Sequence, residues 1–239
     1  MSEYGFNTLS VHAGAAPAPA PLAPAGGRPV AARGDEAGWK SLLVFAVYRV
    51  ALSLTLAAAY LLANAIFQLG SQWPGLAIGT LVAYPILSAL LIVPALMREP
   101  PIPVQVTAAV FLDVLAMGLL MHASGGVRSG LGVTLLIALA GAGLITRGRL
   151  VFFHAAVAAL AILLEQTFQV FRYDAPPADF VQAGLTSMAL FATAALGWTL
   201  ARYARTSETL AEQRTIDLAN LSQINELVIR DMQDGMLVV

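Results

Sequence analysis

Between Trp39 and Arg202 the chain alternates six long apolar runs with short polar breaks. About 20 apolar residues in helix cross a hydrocarbon core of about 30 Å, so runs of this length read as membrane spans. The pattern predicts spans at 42–64, 75–97, 104–121, 130–146, 150–171 and 179–201. The second ends at Arg98-Glu99-Pro100-Pro101, and the third at the glycine-rich break Ser124-Gly125-Gly126-Val127-Arg128-Ser129-Gly130. Arg147-Gly148-Arg149 closes the fourth, and Arg172-Tyr173-Asp174-Ala175-Pro176-Pro177 the fifth. Breaks this short leave no extracytoplasmic domain between spans.

The basic residues orient the spans. Arg28, Arg33, Lys40, Arg98, Arg147, Arg149, Arg202, Arg205, Arg214 and Arg230 fall on one side, and only Arg128 and Arg172 on the other. The excess of Lys and Arg on cytoplasmic loops predicts both termini in the cytoplasm. An even number of spans requires the same answer. The expected location is a membrane that the chain crosses several times.

Composition agrees. Hydrophobic residues make up 58% of the chain and charged residues 11%, against about 25% charged in a soluble domain. The net charge of −1 supplies no basic field for nucleic acid. Without cysteine there is no disulfide framework, thiolate metal site or cysteine nucleophile. His12, His122 and His154 are scattered over the tail, an outer loop and the inner end of a span, so neither a metal nor another cofactor is expected. The first 38 residues are different. Ala15 to Gly27 reads AAPAPAPLAPAGG, with too little large apolar surface to offset ordering, and residues 1–38 are expected to be a disordered cytoplasmic tail.

After the last span the chain turns polar. Leu210, Leu218, Leu221, Ile224, Leu227 and Val228 recur at amphipathic helical spacing through 203–230. Leu221, Ile224 and Val228 fit a coiled-coil seam, but Arg214 and Asp217 occupy the preceding seam positions. Two readings stay open: pairing with a twin helix, or an amphipathic helix lying on its own bundle. Asp234-Gly235 followed by Met236-Leu237-Val238-Val239 reads as a turn into a β-strand. A lone strand is not stable, so 231–239 is expected to open a further domain.

Several blocks carry a family resemblance: Lys40-Ser41-Leu42-Leu43 with Tyr48-Arg49, Met121 to Gly132 around Ser124-Gly125-Gly126, Gly148-Arg149-Leu150, Asp217 to Leu221, Asn225 to Ile229, and Gly235 to Val239. In these the chain resembles the membrane region of PilS-type sensor histidine kinases, the two-component sensors of type IV pili. The resemblance covers about 39–239. It implies an all-α polytopic fold of six transmembrane helices (39–202), a signalling helix (203–230) and the truncated start of a PAS domain (231–239). It also implies a homodimer, a pilin subunit within the membrane as stimulus, pilus gene expression as output, and a response regulator reached only through kinase domains. The phosphoacceptor histidine and nucleotide-binding boxes of that family have no counterpart in these 239 residues. Kinase activity is therefore not assigned to them, and no catalytic residue is expected.

An ionisable side chain at membrane depth costs at least ~2.5 kcal/mol, which makes each one a functional candidate. Arg49 lies about two turns into span one, Asp113 near the middle of span three, and Glu165 in the outer third of span five beside Gln166 and Gln169. By helix rise Arg49 and Asp113 differ by only about 4 Å in depth, within arginine's reach. They either pair, or Arg49 snorkels while Asp113 is protonated or hydrogen-bonded. Glu165 is about 22 Å in from Leu150 and is expected to face Arg128 or Arg172. With His122, Ser124, Gly125 and Gly126 these residues form the candidate sensor set. The glycine block reads either as a re-entrant turn or as a plain tight connection. Leu221, Ile224 and Val228 are the transmission candidates.

Two other classes compete. An intramembrane protease using Ser124 and His154 is excluded, because about 20 Å of depth separates them. A small six-span transporter or channel would need a polar midplane path and internal repeats. Only Asp113 sits centrally, and a transporter has no need of the polar helix after its last span.

Overall fold

The computed structural model describes residues 30–146 and 148–235. Among the described residues every regular element is helical. The helices are α1 (Val30–Phe67), α2 (Pro74–Leu90), α3 (Ile92–Met97), α4 (Ile102–Ala123), α5 (Thr134–Ile145), α6 (Leu150–Tyr173) and α7 (Asp179–Gly235), with 3₁₀ turns at Gly126–Ser129 and Leu131–Val133. Five stretches are long and apolar enough to cross a membrane: Gly38–Leu62, Pro74–Met97, Ile102–Ala123, Leu150–Tyr173 and Asp179–Ala204.

Three boundaries differ from the sequence pattern. Helix α1 starts at Val30, inside the segment expected to be disordered; residues 1–29 lie outside the described residues. After Pro29 the run Val30-Ala31-Ala32-Arg33 holds no further proline, and alanine and arginine are strong helix formers. At the other end α7 runs through Asp234 to Gly235, where a turn was expected, and the predicted strand 236–239 lies outside the described residues.

The largest difference is the fourth apolar run. Gly130-Leu131-Gly132 takes the first part of 130–146, and glycine weakens a helix start by its backbone entropy. The chain makes 3₁₀ turns there, with Gly130 at φ +72°, and the α-helix begins only at Thr134, whose hydroxyl donates to the Leu131 carbonyl at 2.6 Å. At 12 residues, α5 is about 18 Å long, short of a full hydrocarbon core. Its neighbours nevertheless set its direction. Thr107 near the start of α4 meets His154 near the start of α6 at 3.1 Å, and His122 at the end of α4 meets Glu165 in the second half of α6 at 3.1 Å. Helices α4 and α6 therefore run parallel, and the segment between them joins opposite ends of the bundle.

This gives the bundle two ends. The distal end holds 68–73, 124–133 and 174–178; the proximal end holds 98–101, 146, 148–149 and the outgoing part of α7. Helix α4 is the central element, with more than half of its apolar window buried. Pro94 has no N–H to return to Leu90, and the helix breaks between α2 and α3 at Leu91. The Gln105 side chain then donates to the Pro94 and Pro100 carbonyls, at 3.1 and 2.7 Å, tying the start of α4 to the turn that ends α3.

Helices α5 and α7 pack through glycine. A Cβ built on Gly143 would stand 3.3 Å from the Gly197 Cα, so backbone touches backbone. The opposite condition holds at Gly79 of α2, where nothing lies within 4 Å. Gly143→Leu is expected to destabilise the protein by roughly 1–3 kcal/mol through overpacking. Gly79→Leu should leave stability nearly unchanged. Thermal unfolding of the detergent-purified chain measures both, and equal midpoints for the two variants would contradict this packing.

Candidate functional site

Two polar clusters are built into the bundle. The deeper one joins α1, α2 and α4. Arg49 lies 11 positions along from Gly38, Tyr84 13 positions in from Met97, and Asp113 11 positions in from Ile102. At 1.5 Å rise these positions are all about 17–20 Å from the proximal end. The Arg49 Nε donates to Asp113 Oδ1 at 2.8 Å, and the Tyr84 hydroxyl donates to the same oxygen at 2.9 Å. Arg49, Asp113 and Tyr84 are each 1% exposed. The contact is one-sided. Asp113 Oδ2, Arg49 Nη2 and the Tyr48 hydroxyl are buried without a partner among the described residues. The snorkelling reading of Arg49 does not hold here, because its guanidinium is inside the bundle. Tyr84 has no charge and is not among the sequence candidates. Its signal is depth: it is the one hydroxyl-bearing aromatic of the second span at the level of Asp113.

The second cluster lies at the distal end. His122 is in the last turn of α4 rather than in a loop, and its Nδ1 lies 3.1 and 3.3 Å from the two oxygens of Glu165. An ionised carboxylate only accepts, so Nδ1 carries the hydrogen. Gln169, one turn beyond Glu165, donates to the same carboxylate at 2.7 Å. The rings of Phe168 and Tyr173 stand 5.2 and 6.3 Å from the imidazole, and the Trp73 indole N–H donates to the Tyr173 hydroxyl at 3.0 Å.

The expected partners of Glu165 are thus corrected. Arg128 pairs with Asp179 at 2.8 Å, and Arg172 is exposed. The parallel course of α4 and α6 brings His122 to Glu165 directly. Arg128 instead meets the acidic residue at the N-terminus of α7, a position the helix dipole already favours for an anion.

The glycine block is a tight connection. Gly125 and Gly126 have φ of +88° and +78°, a region that favours glycine. A Cβ on Gly126 would stand 3.0 Å from the Gln169 side chain, so the loop is seated on α6. The Ser124 hydroxyl accepts from the Gly70 N–H at 2.9 Å, and the Ala123 carbonyl accepts from Gln72 and Trp73 at 2.9 and 3.1 Å. On its other side the loop holds α7: the Gln182 side chain donates to the Val127 carbonyl at 3.1 Å, beside the Arg128–Asp179 pair.

Along α4, nine positions separate Asp113 from His122, about 13 Å of helix axis. Met117, Leu120 and Met121, all buried, fill that interval. Along α4 the two clusters are therefore separated by an apolar interval. No group of three His, Asp or Glu suited to a metal occurs among the described residues. Of the transmission candidates, Leu221 is exposed on α7, while the side chains of Ile224 and Val228 lie outside the described residues.

The family model described as the PilS-like transmembrane domain matches residues 32–211. The sensor protein kinase PilS of Pseudomonas aeruginosa is 32% identical over 215 residues, which is 86% of this chain and 38% of that protein. The chain thus spans under two-fifths of the length of that relative. No solved structure matches it.

The buried pair leads to a double-substitution test. Replacing either Arg49 or Asp113 by Leu strands an unpaired charge and is expected to destabilise the bundle by about 3–5 kcal/mol. Arg49→Leu/Asp113→Leu removes both charges and should recover much of that loss. Thermal unfolding in detergent reads the cycle, and purely additive losses would rule out the coupling.

Proposed function

The chain belongs to the family of PilS-like transmembrane domains and is a multi-pass membrane protein; from that premise we propose that it is the sensor and signal-transmission module of a two-component histidine kinase. The observation that carries this reading is α7. It is a single helix of 57 residues that starts under the distal loop, passes the bundle and continues beyond Ala204 to Gly235. No proline lies within it, and glycine occurs only at Gly184, Gly197 and its last residue. A shift or rotation at one end of such a helix is delivered to the other.

In this reading six segments cross the inner membrane, with α5 and its 3₁₀ turns making the short fourth crossing and both termini in the cytoplasm. The parallel arrangement of α4 and α6 supports the sixth crossing. The distal cluster and the Arg49–Asp113 pair are the places where a stimulus biases one bundle arrangement over another, through differential affinity for the two. The segment 203–230 is the signalling helix, paired with its twin in a homodimer. It leads to a PAS domain opening at 231–239 and, in a full-length protein, to kinase domains acting on a response regulator. A pilin subunit within the membrane is the proposed stimulus, and pilus gene expression the proposed output. The transporter reading is disfavoured by the separation of the two polar clusters.

Topology is tested first. Reporter fusions at 70, 99, 126, 148, 175 and 205 should alternate out, in, out, in, out, in. An active periplasmic reporter at 205 would end the six-crossing reading.

Transmission is tested in the full-length protein. Four residues inserted near Glu212 rotate the helix phase by about 40°, whereas seven nearly preserve it. Autophosphorylation should change sharply with four and little with seven. Equal output from both insertions would defeat the rigid-helix mechanism.

A further inference from the structure

A groove runs down the lipid-facing seam of α4 and α6. Its volume is about 470 Å³, and its walls are apolar from Phe111 through Leu115 and Leu119 to Leu164 and Phe168. The floor is open because residue 118 is glycine: a Cβ there would meet nothing within 4 Å. From Phe111 to His122 the groove is about 16 Å long by helix rise, close to half of a 30 Å hydrocarbon core. It therefore spans one leaflet. A helix 10–12 Å across filling that length takes up roughly 1,500 Å³, about three times the space present. A single hydrocarbon chain is the better match.

The mouth of the groove is not apolar. Glu165 and His122 line it at its distal end, with side-chain exposures of 13% and 23%. Gln169 holds one carboxylate oxygen from behind, and Nδ1 of His122 is engaged with the same carboxylate. The imidazole Nε2 has no partner among the described residues. In the neutral tautomer with the hydrogen on Nδ1, the mouth offers a carboxylate and a ring nitrogen, both acceptors, and the neighbouring Phe168 and Tyr173 rings add π faces. An ammonium group, all donors and positively charged, complements that set. An anionic headgroup without an amine meets the Glu165 charge.

We propose that the α4–α6 groove binds one amine-bearing phospholipid of the distal leaflet, its acyl chain over Gly118 and its ammonium on Glu165 and His122. The lipid bridges the two helices whose distal ends carry the loop that holds α7. This assignment stands independently of the signalling reading, since it concerns binding alone.

Native mass spectrometry of the purified 239-residue chain tests it, with phosphatidylethanolamine and phosphatidylglycerol of identical acyl chains offered together. The first bound lipid should favour the ethanolamine headgroup about fivefold, as one partly exposed ion pair allows. Glu165→Gln should bring the ratio to near one. Gly118→Leu should lower first-lipid occupancy of both headgroups about tenfold, because the filled groove no longer takes the chain. Gly184→Leu, at an equally open position on α7, should leave occupancy unchanged. Equal binding of the two lipids by the unsubstituted chain overturns the proposal with no variant needed. So does a preference that survives Glu165→Gln, or an occupancy that survives Gly118→Leu or falls equally with Gly184→Leu. A dimer lost on Gly118→Leu with lipid binding intact would also overturn it, placing a second copy's helix in the groove.

Discussion

A charge in hydrocarbon has to be answered where it sits, and in this bundle Asp113 sets that condition. Its carboxylate lies on the most buried helix, and the groups that answer it come from two others: the guanidinium of Arg49 on α1 and the hydroxyl of Tyr84 on α2. Apolar packing between helices in lipid gives little preference for one neighbour over another, because lipid tails are as apolar as leucine. A buried ion pair has no such indifference: its two charges must meet at one depth and one azimuth. The relative depth of α1, α2 and α4 is fixed by that meeting. The pair is also one-sided, with Asp113 Oδ2 and Arg49 Nη2 unpartnered among the described residues, so the contact holds the helices without exhausting their hydrogen-bonding capacity.

The second half of the bundle is held differently. Helices α5 and α7 approach through Gly143 and Gly197, where the absence of side chains lets backbone meet backbone. Helix α6 joins α4 through a proximal Thr107–His154 contact and the distal His122–Glu165 pair. The loop 124–133 links the two halves. It rests on α6 through Gly126, receives the 68–73 turn at Ala123 and Ser124, and grips the start of α7 through Arg128 and Val127. A displacement between α4 and α6 at the distal end therefore reaches the first residues of the long helix through contacts a few ångströms in length. That is the physical content of a sensor reading for a bundle whose described connections between spans are short.

Much of this architecture was legible in the sequence, because membrane insertion writes itself into length and composition. Runs of about 20 apolar residues are a requirement on single segments, satisfied before any helix meets another. Five of the six apolar runs became helices long enough to cross. The similar depth of Arg49 and Asp113 was legible for the same reason, since helix rise converts position into depth, but whether they pair or Arg49 snorkels stayed open until α1 and α4 were seen to meet. The one run that departed, 130–146, did so through Gly130 and Gly132, whose cost to a helix start is local and was on view in the letters.

What the sequence left undecided is azimuth. Depth alone allowed Glu165 to face Arg128 or Arg172; only the parallel packing of α4 on α6 turned it to His122 and left Arg128 for Asp179. Tyr84 escaped notice because an uncharged hydroxyl bears no mark of its role until a third helix brings Asp113 to it. The groove over Gly118 likewise exists only once α4 and α6 stand side by side. The sequence by itself determined which segments enter the membrane, because each segment meets lipid individually. The tertiary structure alone decided which faces meet, because in a uniformly apolar solvent the choice of neighbour rests on a few polar contacts and on shape.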